Sequence, residues 1–209
     1  MSAFNDGGYG IGRFNSTRSV LRDNQVSGNA EAGLYVGDSP DAETSVTDNR
    51  AWNNGYGVFV CHAHQVAVSD NEIWANCPGV LVLDDGQAGG VGDVKDTDNN
   101  VHGNNRFCPT SQGGPPLSGG GIDLVGAVRT LVADNDADGN NHNGTPGSGG
   151  IVLLSASMVS GGSDVNNDTI RDSHARHNLP DDIVWDGSGY GNHFSDNECG
   201  ASTPGHLCT

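Results

Sequence analysis

Four charged side chains follow apolar segments at similar distances in successive parts of the sequence: Arg13, Asp38, His62 and Asp84. A histidine between two carboxylates has its charged form favoured and can serve as a general acid or base. Lyase or epimerase chemistry on an acidic sugar needs such a group, with an arginine or another cation for the substrate carboxylate. The spacing predicts a catalytic row of these four residues, and the alternative is a row of ordinary solvated turn residues.

A second candidate group, Tyr35, Phe59 and Asp123, belongs to the same apolar segments. Each segment starts with glycine and then alternates, as in Gly33-Leu34-Tyr35-Val36 and Gly57-Val58-Phe59-Val60. Because strand side chains alternate between two faces, the second residue after each glycine is predicted to point outward. The two aromatic rings are candidates for sugar stacking, unless a further segment covers them. Asp123 is the only acid of this outward set, which is too few for a two-carboxylate glycosidase.

A repeat of about 22 residues positions these candidates. A glycine-led apolar tetrad is followed by a turn, a second alternating segment, an Asp-Asn step and a closing Asn. Roughly seven such units cover nearly the whole chain, and they begin at Gly10, Gly33, Gly57, Gly79, Gly121, Gly150 and Asp182. The short alternating segments indicate strands rather than helices. Stacked units bury a continuous core, so the repeat predicts an all-β parallel β-helix of about seven coils.

The recurring asparagines are predicted to be structural. Asp70-Asn71 and the closing Asn76 are one example of a pattern that returns in each unit. Asn tolerates the left-handed backbone of a tight bend. Asn amides that stack on successive coils can also hydrogen-bond as a ladder. We therefore expect buried ladders of Asn along the axis.

The charge of the chain restricts its partners. The net charge is −17 with only 9 Lys and Arg residues, which argues against nucleic acid because phosphate binding needs clustered cations. A polyuronide or sulfated glycan would need bridging cations, for which Ca²⁺ at Asp-lined sites is the candidate cofactor. The sequence identifies no metal-ligand set, and no apolar stretch is long enough for a membrane span. Alternatively, the acidity only keeps a secreted protein dissolved.

The cysteines suggest an oxidising compartment. Cys77 and Cys108 occupy similar phases in successive coils and are predicted to form a disulfide. Cys199 and Cys208 bracket a short tail and are predicted to form a second one, although four cysteines allow other pairings. Cys61 is left over and is interpreted as a packed thiol. Two bridges would place the protein outside the reducing cytosol.

The unbroken repeat predicts one domain over residues 1–209, with a disulfide-clasped end over 193–209. Met1 to Gly8 is polar and has no apolar core of a signal peptide. The repeat also begins almost inside a coil, without a capping element. We therefore expect the chain to be the C-terminal part of a longer secreted precursor. Capping by oligomerisation, or a chain cut at this point, are the alternatives.

Several segments resemble the secreted right-handed parallel β-helix repeat proteins of actinobacteria. The segments are Tyr9-Gly10-Ile11, residues 33–40, residues 76–83, Gly149-Gly150-Ile151 and the ending from Asn197 to Cys208. These proteins belong to the pectate-lyase-like superfamily, with NosD-type copper-maturation proteins and alginate epimerases as relatives. The resemblance implies a right-handed coil. It leaves the activity open, because the superfamily contains lyases, hydrolases, epimerases and non-catalytic binding proteins.

The catalytic motifs of these relatives do not carry over. Alginate epimerases resemble the chain at Tyr9-Gly10-Ile11 but continue with Asp-Pro-His, where this sequence has Gly12-Arg13-Phe14. The aspartate patterns of pectate lyases and polygalacturonases cannot be matched residue by residue.

Three functions therefore remain. The favoured one is a secreted protein that binds carbohydrate or a cell-surface partner without catalysis. The others are a polysaccharide lyase or epimerase (or a glycoside hydrolase) and a structural stalk.

Overall fold

The computed structural model describes residues 1–109, 115–141, 145 and 147–208. In these ranges the regular structure consists of 23 β-strands in three sheets, without a helix. No helix of the described residues is long and apolar enough to cross a membrane.

The strands follow one another in a fixed rotation through the three sheets. Sheet A contains β1 (Ser2–Phe4), β4 (Gln25–Ser27), β7 (Arg50–Trp52), β10 (Glu72–Trp74), β13 (Asn100–His102), β16 (Asp136–Asp138), β19 (His174–Arg176) and β22 (Glu198–Cys199). Sheet B contains β2 (Ile11–Phe14), β5 (Ala32–Ser39), β8 (Tyr56–Ala63), β11 (Pro78–Leu83), β14 (Gly120–Val125), β17 (Gly149–Leu154), β20 (Ile183–Trp185) and β23 (Ser202–Thr203). Sheet C contains β3 (Val20–Arg22), β6 (Thr44–Thr47), β9 (Val66–Ser69), β12 (Lys95–Thr97), β15 (Leu131–Ala133), β18 (Thr169–Arg171) and β21 (His193–Ser195).

Each strand from β1 to β20 pairs in parallel with the strand three positions later in the chain, as β5 does with β8 and β8 with β11. A parallel pairing of this kind requires the chain to travel once around the axis between partners, and such crossovers are right-handed. The fold is therefore a right-handed parallel β-helix, as predicted. It has seven complete coils, with β1 and β23 outside them.

The core is a set of apolar columns along the axis. In sheet B, Leu34 pairs with Val58, Val58 with Val80, Val80 with Ile122 and Ile122 with Ile151. All five side chains are completely buried, which confirms the predicted inward positions. Burial of each such side chain contributes about 1.5–3 kcal/mol, so the stacked coils share a stabilisation that no single coil could provide.

Two asparagine ladders run along the corners on either side of sheet A, as predicted. One contains Asn24, Asn49, Asn71, Asn99 and Asn135, and the other Asn29, Asn54, Asn76, Asn104, Asn140 and Asn178. The expectation that Asn adopts the left-handed backbone is wrong for the Asp-Asn step. The preceding Asp does so, with φ of 56° at Asp70 and 58° at Asp98. The Asn that follows is then free to direct its amide inward.

Both predicted disulfides are present. Cys77 is bonded to Cys108, and Cys199 to Cys208, while Cys61 is free and buried. At the C-terminal end, Leu207 is buried in the main core. The second bridge therefore holds a tail that closes this end of the β-helix.

Candidate functional site

The structure brings Asp38 and His62 together at the end of sheet B. Gly37 pairs with Cys61 and Ser39 with Ala63, so that Asp38 lies beside His62 on the neighbouring coil. His62 Nδ1 is 3.5 Å from Asp38 Oδ1, an ion-pair distance that is too loose and poorly aligned for a hydrogen bond. His62 Nε2 donates to the carbonyl oxygen of Ala88 at 3.0 Å. That carbonyl, followed by the carboxylates of Asp38 and Asp85, raises the pKa of His62.

Of the other two members of the predicted catalytic row, Asp84 keeps the predicted register and Arg13 does not. Leu83 pairs with Cys61, so Asp84 follows in register with His62 on the next coil, but its buried carboxylate accepts hydrogen bonds from the backbone N–H groups of Gly86 and Ser163, at 2.9 and 2.7 Å. Arg13 pairs with Val36, two residues before Asp38, and is exposed. The expected register is therefore wrong for Arg13. A catalytic role for these residues stays an untested prediction.

His64, to which sequence analysis gave no role, holds the loop of residues 84–93. Its Nε2 lies 2.9 Å from the carbonyl oxygen of Gly89, and its Nδ1 lies 2.9 Å from Oδ2 of Asp93. Arg129 donates two hydrogen bonds to the same carboxylate, at 2.8 and 2.7 Å. These donors, with Arg129 the stronger, lower the pKa of Asp93 to about 2. With His62 on Ala88, the two histidines clasp the loop at adjacent carbonyl groups.

The outer face of sheet B is closed, which corrects the expectation of an exposed aromatic row. Tyr35 is only 5% exposed. Its ring centroid lies 4.5 Å from that of Tyr9, 4.7 Å from that of Phe14 and 5.3 Å from that of Phe59. Burial raises the pKa of the Tyr35 phenol, so this group is unsuited to act as a base. Phe59 is partly buried in the same cluster.

Asp123 is also enclosed. It lies in register between Leu81 and Val152, both of them buried, and is itself 5% exposed. Its Oδ1 has no hydrogen-bond partner, and burial raises its pKa well above the usual range. Asp123 is therefore not the exposed carboxylate that a substrate-binding role would require in this state.

The outer face of sheet A carries two parallel rows of side chains that sequence analysis missed. The polar row contains Gln25, Arg50, Glu72, Asn100, Asp136, His174 and Glu198. The aromatic row contains Trp52, Trp74 and His102 and continues into Asp138 and Arg176. Between them, Ala51, Ile73 and Val101 point into the core. The sequence signal was the pair of residues that flank the apolar residue after each Asp-Asn step.

The rings of the aromatic row overlap along the axis. The centroids of Trp52 and Trp74 are 5.1 Å apart and their planes differ by 6°. Trp74 and His102 are 6.1 Å apart with planes at 3°. At these distances parallel rings cover one another's faces, so the row offers mainly its outer edges to solvent. It forms a continuous apolar strip across three coils.

The charged members of the polar row form ion pairs between coils. Arg50 Nε lies 3.0 Å from Glu72 Oε2. His174 lies between two acids, with Nδ1 at 3.3 Å from Asp136 Oδ1 and Nε2 at 3.5 Å from Glu198 Oε2. A shallow depression of about 220 Å³ opens on this part of the face, lined by Asn100, Asp136, Asp138, His174 and Arg176. Hydroxyl-rich ligands could be hydrogen-bonded here from several directions.

Neither a metal site nor a reactive cysteine is found among the described residues. These residues contain no group of three or more His, Cys, Asp or Glu side chains arranged to hold a metal ion. Burial, together with the nearby carboxylate of Asp85, raises the pKa of the Cys61 thiol. A thiol of this kind is inert as a nucleophile.

Residues 2–105 match the family described as Right handed beta helix region. These β-helix repeats span strands β1 to β13. No curated protein sequence matches the chain.

Two solved structures share the β-helix fold. The A-module of mannuronan C-5 epimerase AlgE4 from Azotobacter vinelandii is 18% identical, with a TM-score of 0.63 over 94% of this chain and 51% of that module. The A-module of AlgE6 from the same organism is 16% identical, with a TM-score of 0.57 over 94% of this chain and 50% of the module. The chain therefore spans about half the length of each epimerase module. At these identities the likeness shows the fold alone.

Proposed function

We propose that this chain is a secreted β-helix protein that binds a polysaccharide along the outer face of sheet A, without catalysis. The observation that supports this is the aromatic row beside the polar row on an accessible face, while the outer face of sheet B is closed by its own aromatic cluster. The two disulfides support an extracellular location.

The two rows suit the two kinds of surface that a sugar presents. The C–H groups of a pyranose ring are apolar and pack against the outer edges of Trp52 and Trp74, since tryptophan is a frequent anchor at binding sites. The hydroxyl groups of the sugar donate to the carboxylates of Glu72 and Asp136 and to the amide oxygen of Asn100. Both rows run parallel to the axis, so one extended chain can contact them together.

A second candidate is a lyase or epimerase that acts on an acidic glycan. It is favoured by the Asp38–His62 pair at the end of sheet B and, distantly, by the fold shared with the mannuronan C-5 epimerase modules. Against it, Asp84 is engaged by two loops, Asp123 is enclosed and burial raises the pKa of Tyr35. Growth of ultraviolet absorbance from unsaturated products, lost in His62→Ala, would favour this candidate.

Calorimetric titration against a panel of soluble polysaccharides tests the proposal. Trp74→Ala is expected to weaken binding by tenfold or more, because the variant removes the middle ring of the aromatic row. Tyr190→Ala is the matched control, since Tyr190 is an aromatic residue 70% exposed in the loop between β20 and β21, outside sheet A. Equal effects of the two variants, or none from Trp74→Ala, would overturn the proposed site.

A further inference from the structure

The positive charges on the outer face of sheet A are already matched by carboxylates. Arg50 is paired with Glu72, and Arg176 is paired with Glu198. His174 lies between Asp136 and Glu198. Next to this face, His177 Nδ1 is 2.8 Å from Asp138 Oδ1. Both arginines of the two rows are thus neutralised from within the protein, and a ligand anion would have to displace an existing partner.

The same face holds four carboxylates, from Glu72, Asp136, Asp138 and Glu198. They belong to a chain whose net charge is −17. A ligand carboxylate or sulfate laid along the rows would come within a few ångströms of these groups and would be repelled. Uncharged hydroxyl groups meet no such penalty, because an ionised carboxylate is an acceptor with several free lone pairs.

Resting on the proposed function, we infer that the ligand of this face is a neutral polysaccharide rather than a polyuronide or a sulfated glycan. The ligand chain runs along the helix axis. Trp52 and Arg176 are four coils apart in one register, which corresponds to about 19 Å at the strand spacing of ~4.8 Å. Affinity should therefore increase with oligosaccharide length until the ligand covers this distance, and then level off.

The inference predicts how affinity depends on ligand charge and on salt. At low ionic strength, soluble β-glucan, galactomannan or xylan is expected to bind at least tenfold more tightly than polygalacturonate or alginate. Binding of the neutral polymer should change little between low and high salt, since no charge is exchanged with solvent. Glu72→Gln should weaken neutral binding several-fold and strengthen polyuronide binding, because the variant frees Arg50 for a ligand carboxylate.

The experiment is a titration of the intact chain with each polymer, with and without Ca²⁺, in wild type, Trp74→Phe, Trp74→Ala, Glu72→Gln and Tyr190→Ala. Neutral binding that is lost in Trp74→Ala supports both the inference and the proposed function. Tighter polyuronide binding that is also lost in Trp74→Ala overturns the inference and leaves the proposed function standing. Binding that ignores Trp74, or no binding to any polymer, overturns the proposed function and the inference with it. Trp74→Phe guards against misfolding, because it retains a ring and should retain most of the affinity.

Discussion

The side-chain amide of Asn71 donates to Oδ1 of Asn99 at 2.9 Å, and the same oxygen accepts the backbone N–H of Asn71 at 2.9 Å. Asn71 in turn accepts from the backbone N–H and the amide of Asn49, at 3.0 and 2.9 Å. Each asparagine thus binds the coils on both sides. The ladder satisfies backbone groups that the tight corner would otherwise bury without partners.

Replacement of Asn71 by leucine should lower the free energy of unfolding by about 3 kcal/mol, because it leaves buried donors of Asn49 without an acceptor. Denaturant unfolding followed by circular dichroism measures the change. Asp70→Asn is the control at the same corner: asparagine also tolerates the positive φ of this position, so little change is expected. Wild-type stability of Asn71→Leu would contradict the role of the ladder.

Asp96 makes stability depend on pH. It occupies an inward position of sheet C, in register with Val68 and Val132, and burial raises its pKa to about 7. The stability linked to this proton is fully present below pH 3.8, the unfolded value, and is lost as the pH rises through about 7.

Asp96→Val should therefore stabilise the protein at pH 9 by about 2–4 kcal/mol, and the gain should shrink toward pH 4. Asn99 keeps two acceptors in this variant, the Val68 carbonyl at 3.0 Å and Asn135 Oδ1 at 3.2 Å. Urea unfolding over this pH range provides the test. For Asp98→Asn, at an exposed corner, the difference in stability from wild type should not vary with pH. If the difference between Asp96→Val and wild type also did not vary with pH, the buried carboxyl would be excluded as the cause.

The two disulfides should differ in their contribution to stability. Cys77 and Cys108 are 31 residues apart and Cys199 and Cys208 are 9 apart. The loop-closure relation gives about 3.5 kcal/mol for the first bridge and about 2.5 kcal/mol for the second. Thermal unfolding of the two double-alanine variants measures the difference. Unchanged melting temperatures for both would contradict a stabilising role of the bridges.

The histidine clasp should control access to Cys61. This buried thiol lies near the carboxylate of Asp85 in the 84–93 loop, and His64 contacts both Gly89 and Asp93 of that loop. Loss of both contacts in His64→Ala should raise the rate of thiol labelling about tenfold. This corresponds to a decrease of ~1.4 kcal/mol in the free energy of opening the loop. His177→Ala, which changes an exposed histidine of another corner, is the control. Equal labelling rates in all three proteins at one pH would show that the clasp does not hold the loop.

Periodicity predicted the fold well because its signal repeats in each coil. The position of a residue within the repeat is enough to predict the inward side chains of Val58 and Val80 and the ladder at Asn71. It also predicts the bridge between Cys77 and Cys108. The site was harder to predict. Phase does not show that Tyr35 is covered by Tyr9 and Phe14, which come from an earlier coil and a turn.

The position of Arg13 within its strand was the other source of error. Ile11 pairs with Leu34, as the repeat predicts, but Arg13 comes two residues after Ile11, whereas Asp38 comes four residues after Leu34. The sheet A rows were visible in the sequence as paired polar or aromatic residues after each Asp-Asn step. A local sequence pattern does not specify which face of a β-helix is covered by loops. The two rows could therefore not be assigned to an accessible face from the sequence.

The most direct test of the proposed binding face is a fluorescence titration of Trp185→Phe with the neutral polysaccharide that binds best. This variant removes the tryptophan of sheet B and retains Trp52 and Trp74, the two of sheet A. The proposal predicts a saturable change in emission whose midpoint agrees with the calorimetric Kd. Calorimetric binding with no change in emission would place the ligand away from these rings and contradict the proposal.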